Sequence, residues 1–422
     1  MSKKISETSS KKPTLAIIGG GISGLSAAHC LQDAYDITLF EASSDLGGNN
    51  HSTTIDASIR APMGVILFPG KPLFKNTLRF AEKFSLPLVN KQVEHRFLYQ
   101  GNMQYTSYWR RWAENIDFKH VPTNIKDIWY LMQQFQDETI NHDTTVGAWI
   151  KDAKLSEPCI RYFLLPAAAL YLSMPYQDLF DLPVSVIARW WGKYFMSIKG
   201  LTQYSTIDGG NHLLIDAFVK HTPVTYLTHT PVIQIERDDN SIHIITANQQ
   251  FTADKLVMAT RPDEALKLLN NPTKLEKKLL SAITMGDIMS TLHRRPYGCH
   301  DEAMTLQLYG DALSEQHVVT TWNQEHFSGQ TARPSRYVSI HEVNKHPIEQ
   351  QDIEHQIKFR IPLPTASTFS VEEPIGLLNK SALNTYYCGS YSNAFFYHED
   401  AIISAIKLTE AMGLSHNFRE QL

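Results

Sequence analysis

Three glycines, Gly19, Gly21 and Gly24, stand in G-x-G-x-x-G order within the stretch TLAIIGGGISGLSAAHCL. Residues of that type at that spacing suit chemistry at a phosphate. Gly19 permits a tight turn, Gly21 lets the backbone approach a pyrophosphate with no Cβ in the way, and Gly24 lets the next helix pack closely on the preceding strand. Leu15 to Ile18 reads as a buried parallel strand, an apolar run ending at glycine. The helix after it, Ser23 to Gln32, points unpaired first-turn amides at the phosphate.

A second strand, DITLFEA, ends at Glu41, 22 positions after Gly19, where an acid accepts hydrogen bonds from both ribose hydroxyls and repels a 2′-phosphate. The glycine pair Gly47 and Gly48 follows in SSDLGGN. The loop alone does not separate FAD from NAD, since both carry an ADP half. The glycine pair favours FAD, because it lets backbone close around the diphosphate and ribityl chain. So does the C-terminal pattern: a strand from Thr385 to Cys388, Gly389, a loop, then an amphipathic helix from about Glu399. Its partly positive N-terminus suits the electron-rich pyrimidine edge of a reduced flavin.

Other chemistries find less support. The cysteines Cys30, Cys159, Cys299 and Cys388 are dispersed, and no histidine pair has the spacing of a helical metal site, so no metal is expected. No Ser-His-Asp order stands out. The net charge of −4 over 422 residues gives no footprint for nucleic acid. The first twelve residues are polar and read as a disordered lead rather than a secretory signal. No apolar run of the ~18 residues a membrane span needs occurs. The expectation is a soluble cytoplasmic protein with peripheral membrane contact at most, for which YWRRWAEN (Tyr108 to Asn115) is the candidate. RYFLLPAAALYLSMP and VIARWWGKYFM could line an apolar tunnel, although a Met and aromatic stripe more often forms plain core.

The chain resembles the flavin-dependent oxidoreductases of the amine-oxidase-like superfamily, and more narrowly a bacterial subgroup described as predicted NAD/FAD-binding proteins. IIGGGISGLSAA, LFEASSDLGGNNHS, LLPAAALYLSMP, TIDGGNHLLIDAF and the terminal FFYHED carry the likeness, which runs from Thr14 across almost the whole chain. The resemblance implies an α/β architecture of two domains. A Rossmann-like FAD-binding domain is built from 13–68, 204–274 and 380–422, and an inserted α+β substrate domain comprises 69–203 and 275–379. It implies FAD contacts at Gly19, Gly21, Ile22, Ser23, Gly24, Glu41, Ala42, Gly47, Gly48 and Asn49. Further contacts fall at Val232, whose backbone would meet the adenine, at Gly389 and Ser390, and at His398 and Glu399 beside the pyrimidine. Tyr397 would stand at the flavin face beside the substrate, and His398 titrates near neutral pH as a possible proton-transfer group, so these two are the candidate catalytic residues.

The sequence departs from the family pattern at Asn49, where Arg is common, at Ser390, where an acid is common, and at APMG (Ala61 to Gly64), where D-x-G is common. No cysteine occupies the GSYSNAFFYHED loop, so FAD is expected to be non-covalent. The implied reaction is hydride removal from an amine or an apolar, lipid-like alkyl substrate, with oxygen or another electron acceptor. A non-redox flavin isomerase and a catalytically silent FAD-binding partner subunit are the alternatives.

Overall fold

The computed structural model describes residues 11–56, 59–69, 73–106, 125–136, 144–194, 203–238, 241–299, 303–312, 315–330, 334–372, 374–380, 383–393 and 397–414. YWRRWAEN, most of the polar lead and the end of VIARWWGKYFM lie outside the described residues.

Five parallel strands form the sheet that carries the glycine loop: β1 (Thr14–Ile18), β2 (Asp36–Phe40), β3 (Thr225–Leu227), β4 (Lys255–Met258) and β5 (Thr385–Tyr387). Their spatial order is β3-β2-β1-β4-β5, so three distant stretches of chain meet in one sheet. The connection reverses direction at β1, which places a crevice at the carboxyl ends of the strands.

Residues of β1 alternate between two cores, as the period of a strand requires. Leu15 and Ile17 face a helical layer, α1 (Ile22–Leu31), α2 (Lys75–Lys83), α3 (His212–Lys220) and α4 (His398–Ala411). Ala16 and Ile18 face an antiparallel meander of Val232–Arg237, Ile242–Thr246 and Gln250–Ala253. The alternating runs VIQIER and IHIITA mark the first two meander strands in the sequence, and no comparable run marks the third. It also groups α2 with the substrate segment, whereas Leu78 and Phe80 of α2 are buried in the same core as α1, α3 and α4. The physical reason is the one apolar stripe of α2, which has no other buried surface to cover.

The second layer system centres on a seven-stranded sheet. Its order is Ile353–Pro362, Met285–His293, Tyr337–Glu342, His317–Asn323, Ala303–Tyr309, Glu94–Tyr99, Asn102–Thr106, antiparallel except where Ala303–Tyr309 meets Glu94–Tyr99. Helices from 146 to 194 pack on the Glu94–Tyr99 side through Phe97, Leu306 and Leu308. In that helical run Ile160–Leu164 makes one π-type turn just before Leu165–Leu172, in which Pro166 has no N–H to donate. Tyr204, on the strand Gln203–Ile207, packs with Ala61, Met63, Trp322 and Phe359 in a separate core under the same sheet.

Candidate active site

The glycines of the opening loop divide into two kinds. Gly19 adopts φ 109°, and a Cβ there would lie 2.8 Å from the Ala259 carbonyl oxygen. A Cβ on Gly24 would lie 2.0 Å from the Gly19 carbonyl oxygen, so any side chain would push α1 away from β1. These two are required by packing. Gly21 is not: the nearest atom to its Cβ position is the Gly48 Cα at 3.9 Å, so the space above it is open. There α1 begins with no side-chain cap and no acid in its first turn. The first-turn amides of Ile22 and Ser23 therefore face that space without an internal acceptor, which makes it a cradle for an anion.

The paired glycines close the other side. Gly47 (φ 120°) and Gly48 (φ 58°) take backbone conformations that side chains rarely adopt. The Gly47 N–H donates to the Gly20 carbonyl at 2.8 Å, and Gly21 and Gly47 form a parallel bridge. Asn49, exposed, carries the loop onward, and a Cβ on Gly64 would lie 2.1 Å from its carbonyl oxygen, so the APMG turn is seated on this loop.

Glu41 folds back under the loop. Its Oε2 accepts from the Gly20 N–H at 2.7 Å, and its Oε1 accepts from the Ser43 N–H at 2.9 Å and hydroxyl at 2.8 Å. A carboxylate has about four acceptor positions, so capacity remains for a ribose hydroxyl. Ala42 is exposed beside it. The Thr230 N–H donates to the Glu41 carbonyl at 2.9 Å, and His229 donates to that of Ser43, which brings the nearby Val232 to the acid's end of the site.

At the opposite end, Gly389 packs so tightly that a Cβ would lie 2.2 Å from the Tyr391 ring, and its N–H donates to Ser404 Oγ at 2.9 Å. Ser390 follows, half-buried. α4 then starts at His398, one residue earlier than the sequence pattern indicates, with the Tyr397 N–H donating to Asp400 Oδ2 at 2.8 Å.

The three candidate side chains at this helix start have different surroundings. The Glu399 carboxylate accepts four hydrogen bonds from the start of α2: the Asn76 N–H and Nδ2, each at 2.8 Å, and the Thr77 N–H at 2.8 Å and hydroxyl at 2.7 Å. It caps a helix more than 300 residues away, so only its backbone is left for a cofactor. His398 is buried against Phe68 and Thr77. The Thr77 hydroxyl gives its one proton to Glu399, so it accepts from His398 Nδ1–H at 3.2 Å. That fixes the tautomer and leaves Nε2 as a buried acceptor without a partner. Burial holds the imidazole pKa down at about 3. This corrects the expectation that the side chain exchanges protons near neutral pH: a fully desolvated imidazole stays neutral there. Tyr397 is half-buried, donates its hydroxyl to the Tyr171 carbonyl and lies 6.2 Å from the Phe74 ring.

One polar cluster escapes sequence reasoning. The Tyr171 hydroxyl lies 3.3 Å from His95 Nε2 and 3.3 Å from the Tyr204 hydroxyl. The three come from a strand, a helix and a second strand, 76 and 33 residues apart, and no spacing rule joins them. Tyr171 stands out as a polar tip on the apolar helix LPAAALYL, but His95 and Tyr204 lie in the mixed strands EHRFLY and QYSTI, where nothing marks them.

Fold and loop geometry define a dinucleotide-binding protein whose cofactor layer is joined to a second, seven-stranded sheet system. Residues 22–289, more than half of the chain, match the family described as flavin containing amine oxidoreductase, and the chain belongs to that family. It is an FAD-dependent oxidoreductase of the amine-oxidase-like type. Tryptophan 2-monooxygenase of Agrobacterium tumefaciens (strain Ach5) is 35% identical over 102 residues, which are 22% of this chain and only 13% of that protein. Among solved structures, cyclohexylamine oxidase from Brevibacterium oxydans IH-35A superposes with a TM-score of 0.68 at 16% identity, covering 97% of this chain and 100% of the other. A CLA-producing fatty acid isomerase from P. acnes gives 0.67 at 16% identity, covering 95% and 99%. At such identities the likeness concerns fold. Among the described residues no helix is long and apolar enough to cross a membrane.

Proposed function

We propose that this chain removes hydride from an amine or an apolar, lipid-like alkyl substrate and delivers it to non-covalently held FAD, with oxygen or another acceptor restoring the oxidised cofactor. The observation that carries the reading is the open space over Gly21, bounded by the uncapped start of α1, the Gly47–Gly48 loop and Glu41. Backbone amides of Ile22, Ser23, Gly48 and Asn49 would hold the diphosphate, and Glu41 the adenosine ribose. Val232 would meet the adenine, while Gly389, Ser390 and the start of α4 at His398 would line the flavin half. Bound FAD supplies the two-electron acceptor.

The protein's own contribution is position and dryness. Tyr397 forms part of the wall between cofactor and substrate layers, anchored by its hydroxyl on Tyr171. His398 serves through its backbone, its ring being neutral and turned into the core. Cys388, the cysteine nearest the C-terminal loop, is buried with its thiol pushed up to about 12, which suits a cofactor held without a covalent bond. The test is an absorbance spectrum from 300 to 550 nm before and after acid precipitation. Flavin bands that pass into the supernatant support the reading, and anaerobic bleaching by amines or by acyl lipids then sorts the substrate class. A colourless protein that FAD does not reconstitute refutes it.

A further inference from the structure

We propose that Ser404 is a positioning residue for the cofactor. Its hydroxyl sets the turn from Gly389 to Ser392 against α4 in advance, so that the flavin half of FAD meets a preformed wall. The inference rests on the flavin reading above.

The hydroxyl of Ser404 is committed on both sides. Ser404 is buried in the second turn of α4 and gives its one proton to the Ala401 carbonyl at 2.6 Å. The Gly389 N–H, at 2.9 Å, therefore meets a lone pair. The Gly389 carbonyl is occupied as well, by the Ser392 N–H at 3.1 Å and the Ser392 hydroxyl at 2.8 Å. Gly389 thus spends both of its backbone polar groups within the protein, and it offers the cofactor room rather than a hydrogen bond.

Two further ties hold the same turn. Tyr391 folds its ring over Gly389 and is buried in the core on the meander side of the sheet. At the far end Asn393 donates from Nδ2 to the Asp400 carbonyl at 3.0 Å and accepts from Lys407 Nζ at 2.6 Å. Ser404 and Asn393 therefore pin the two ends of the turn to one helix, whose start is assigned to the flavin half. Gly389 is buried, so without Ser404 its N–H has no water to turn to. The ready remedy is rotation of that peptide, which a glycine permits. Rotation carries Ser390 with it and leaves Gly21 and Glu41, on the loops after β1 and β2, where they are.

The test titrates the full chain, freed of flavin, with FAD by fluorescence quenching and with ADP by calorimetry, at a temperature where each variant is folded. Ser404→Ala should weaken FAD about tenfold and ADP by less than about twofold, so the ratio of the two affinities falls. Asn393→Ala should lower that ratio in the same direction, and it serves if Ser404→Ala fails to fold. A merely structural hydroxyl would lower the melting temperature and leave the ratio alone. An unchanged ratio in the folded variant, or equal losses of FAD and ADP, overturns this inference alone. A wild-type chain that never takes up flavin overturns the flavin reading and this inference with it.

Discussion

Glu399→Gln separates a structural carboxylate from a cofactor-binding one. Each Glu399 oxygen accepts two donors from the start of α2, one set from Asn76 and one from Thr77. A glutamine keeps one such oxygen and sets an NH2 against the other pair, so two hydrogen bonds are lost and two donors are stranded in a buried place. Bonds to a charged acceptor contribute about 1.5–3 kcal/mol each, and loss of the negative charge at a helix N-terminus adds to this. The local cost is therefore about 3–6 kcal/mol. An unfolding entropy of roughly 2.1 cal/mol/K per residue gives about 0.9 kcal/mol/K for 422 residues, so melting should fall by about 3–7 °C. The assay is thermal unfolding of the cofactor-free and FAD-loaded protein, with FAD affinity measured at a temperature where both are folded. The expected result is a lowered melting temperature in both forms and FAD affinity changed by less than threefold. Unchanged melting together with lost flavin binding would refute the reasoning and return the carboxylate to the cofactor.

The two kinds of glycine predict opposite phenotypes. Gly21→Ala should leave cofactor-free stability within about 0.5 kcal/mol, the usual range away from packing faults, while FAD affinity, read by fluorescence quenching, drops at least tenfold. Gly24→Ala should lower the melting temperature of the cofactor-free protein, because its methyl would overlap the Gly19 carbonyl. Acid should destabilise the fold in a defined window. His95, His293 and His341 are buried and held at about 4 against 6.5 when unfolded. Their contribution is complete above pH 6.5 and declines as pH falls towards 4, by about 1.4 kcal/mol per unit for each, so roughly 4 kcal/mol per unit together. Urea midpoints at pH 7, 6 and 5 check it. Arg237→Met should cost about 3–5 kcal/mol by leaving Glu276 buried without its ion-pair partner at 2.7 Å, seen in the same urea series at pH 7.

Much of the cofactor layer was legible because its instructions are local. Gly19, Gly21 and Gly24 lie within six positions, the strand and helix around them are neighbours in sequence, and Glu41 ends the next strand. The C-terminal helix was legible to within one residue for the same reason. What the sequence could not show lives in long-range pairing. Glu399 reads as an acid at the start of its own helix, yet its partners are Asn76 and Thr77. His398 reads as a titratable histidine, and only its burial against Phe68 makes it inert. The meander strand Gln250–Ala253 is too short and polar to announce itself. The parallel pairing of Glu94–Tyr99 with Ala303–Tyr309 joins segments two hundred residues apart.

The order of the chain through the β3-β2-β1-β4-β5 sheet also has a cost during synthesis. α1 packs directly on α4, yet 367 residues separate Leu31 from His398. At about 5–20 residues per second a ribosome needs roughly 20–70 s to deliver one after the other. Through that interval the alanine-rich face of α1 is uncovered, β4 lacks its neighbour β5, and the start of α2 waits for its cap. The cofactor layer therefore closes only once α4 has been made and can pack on α1.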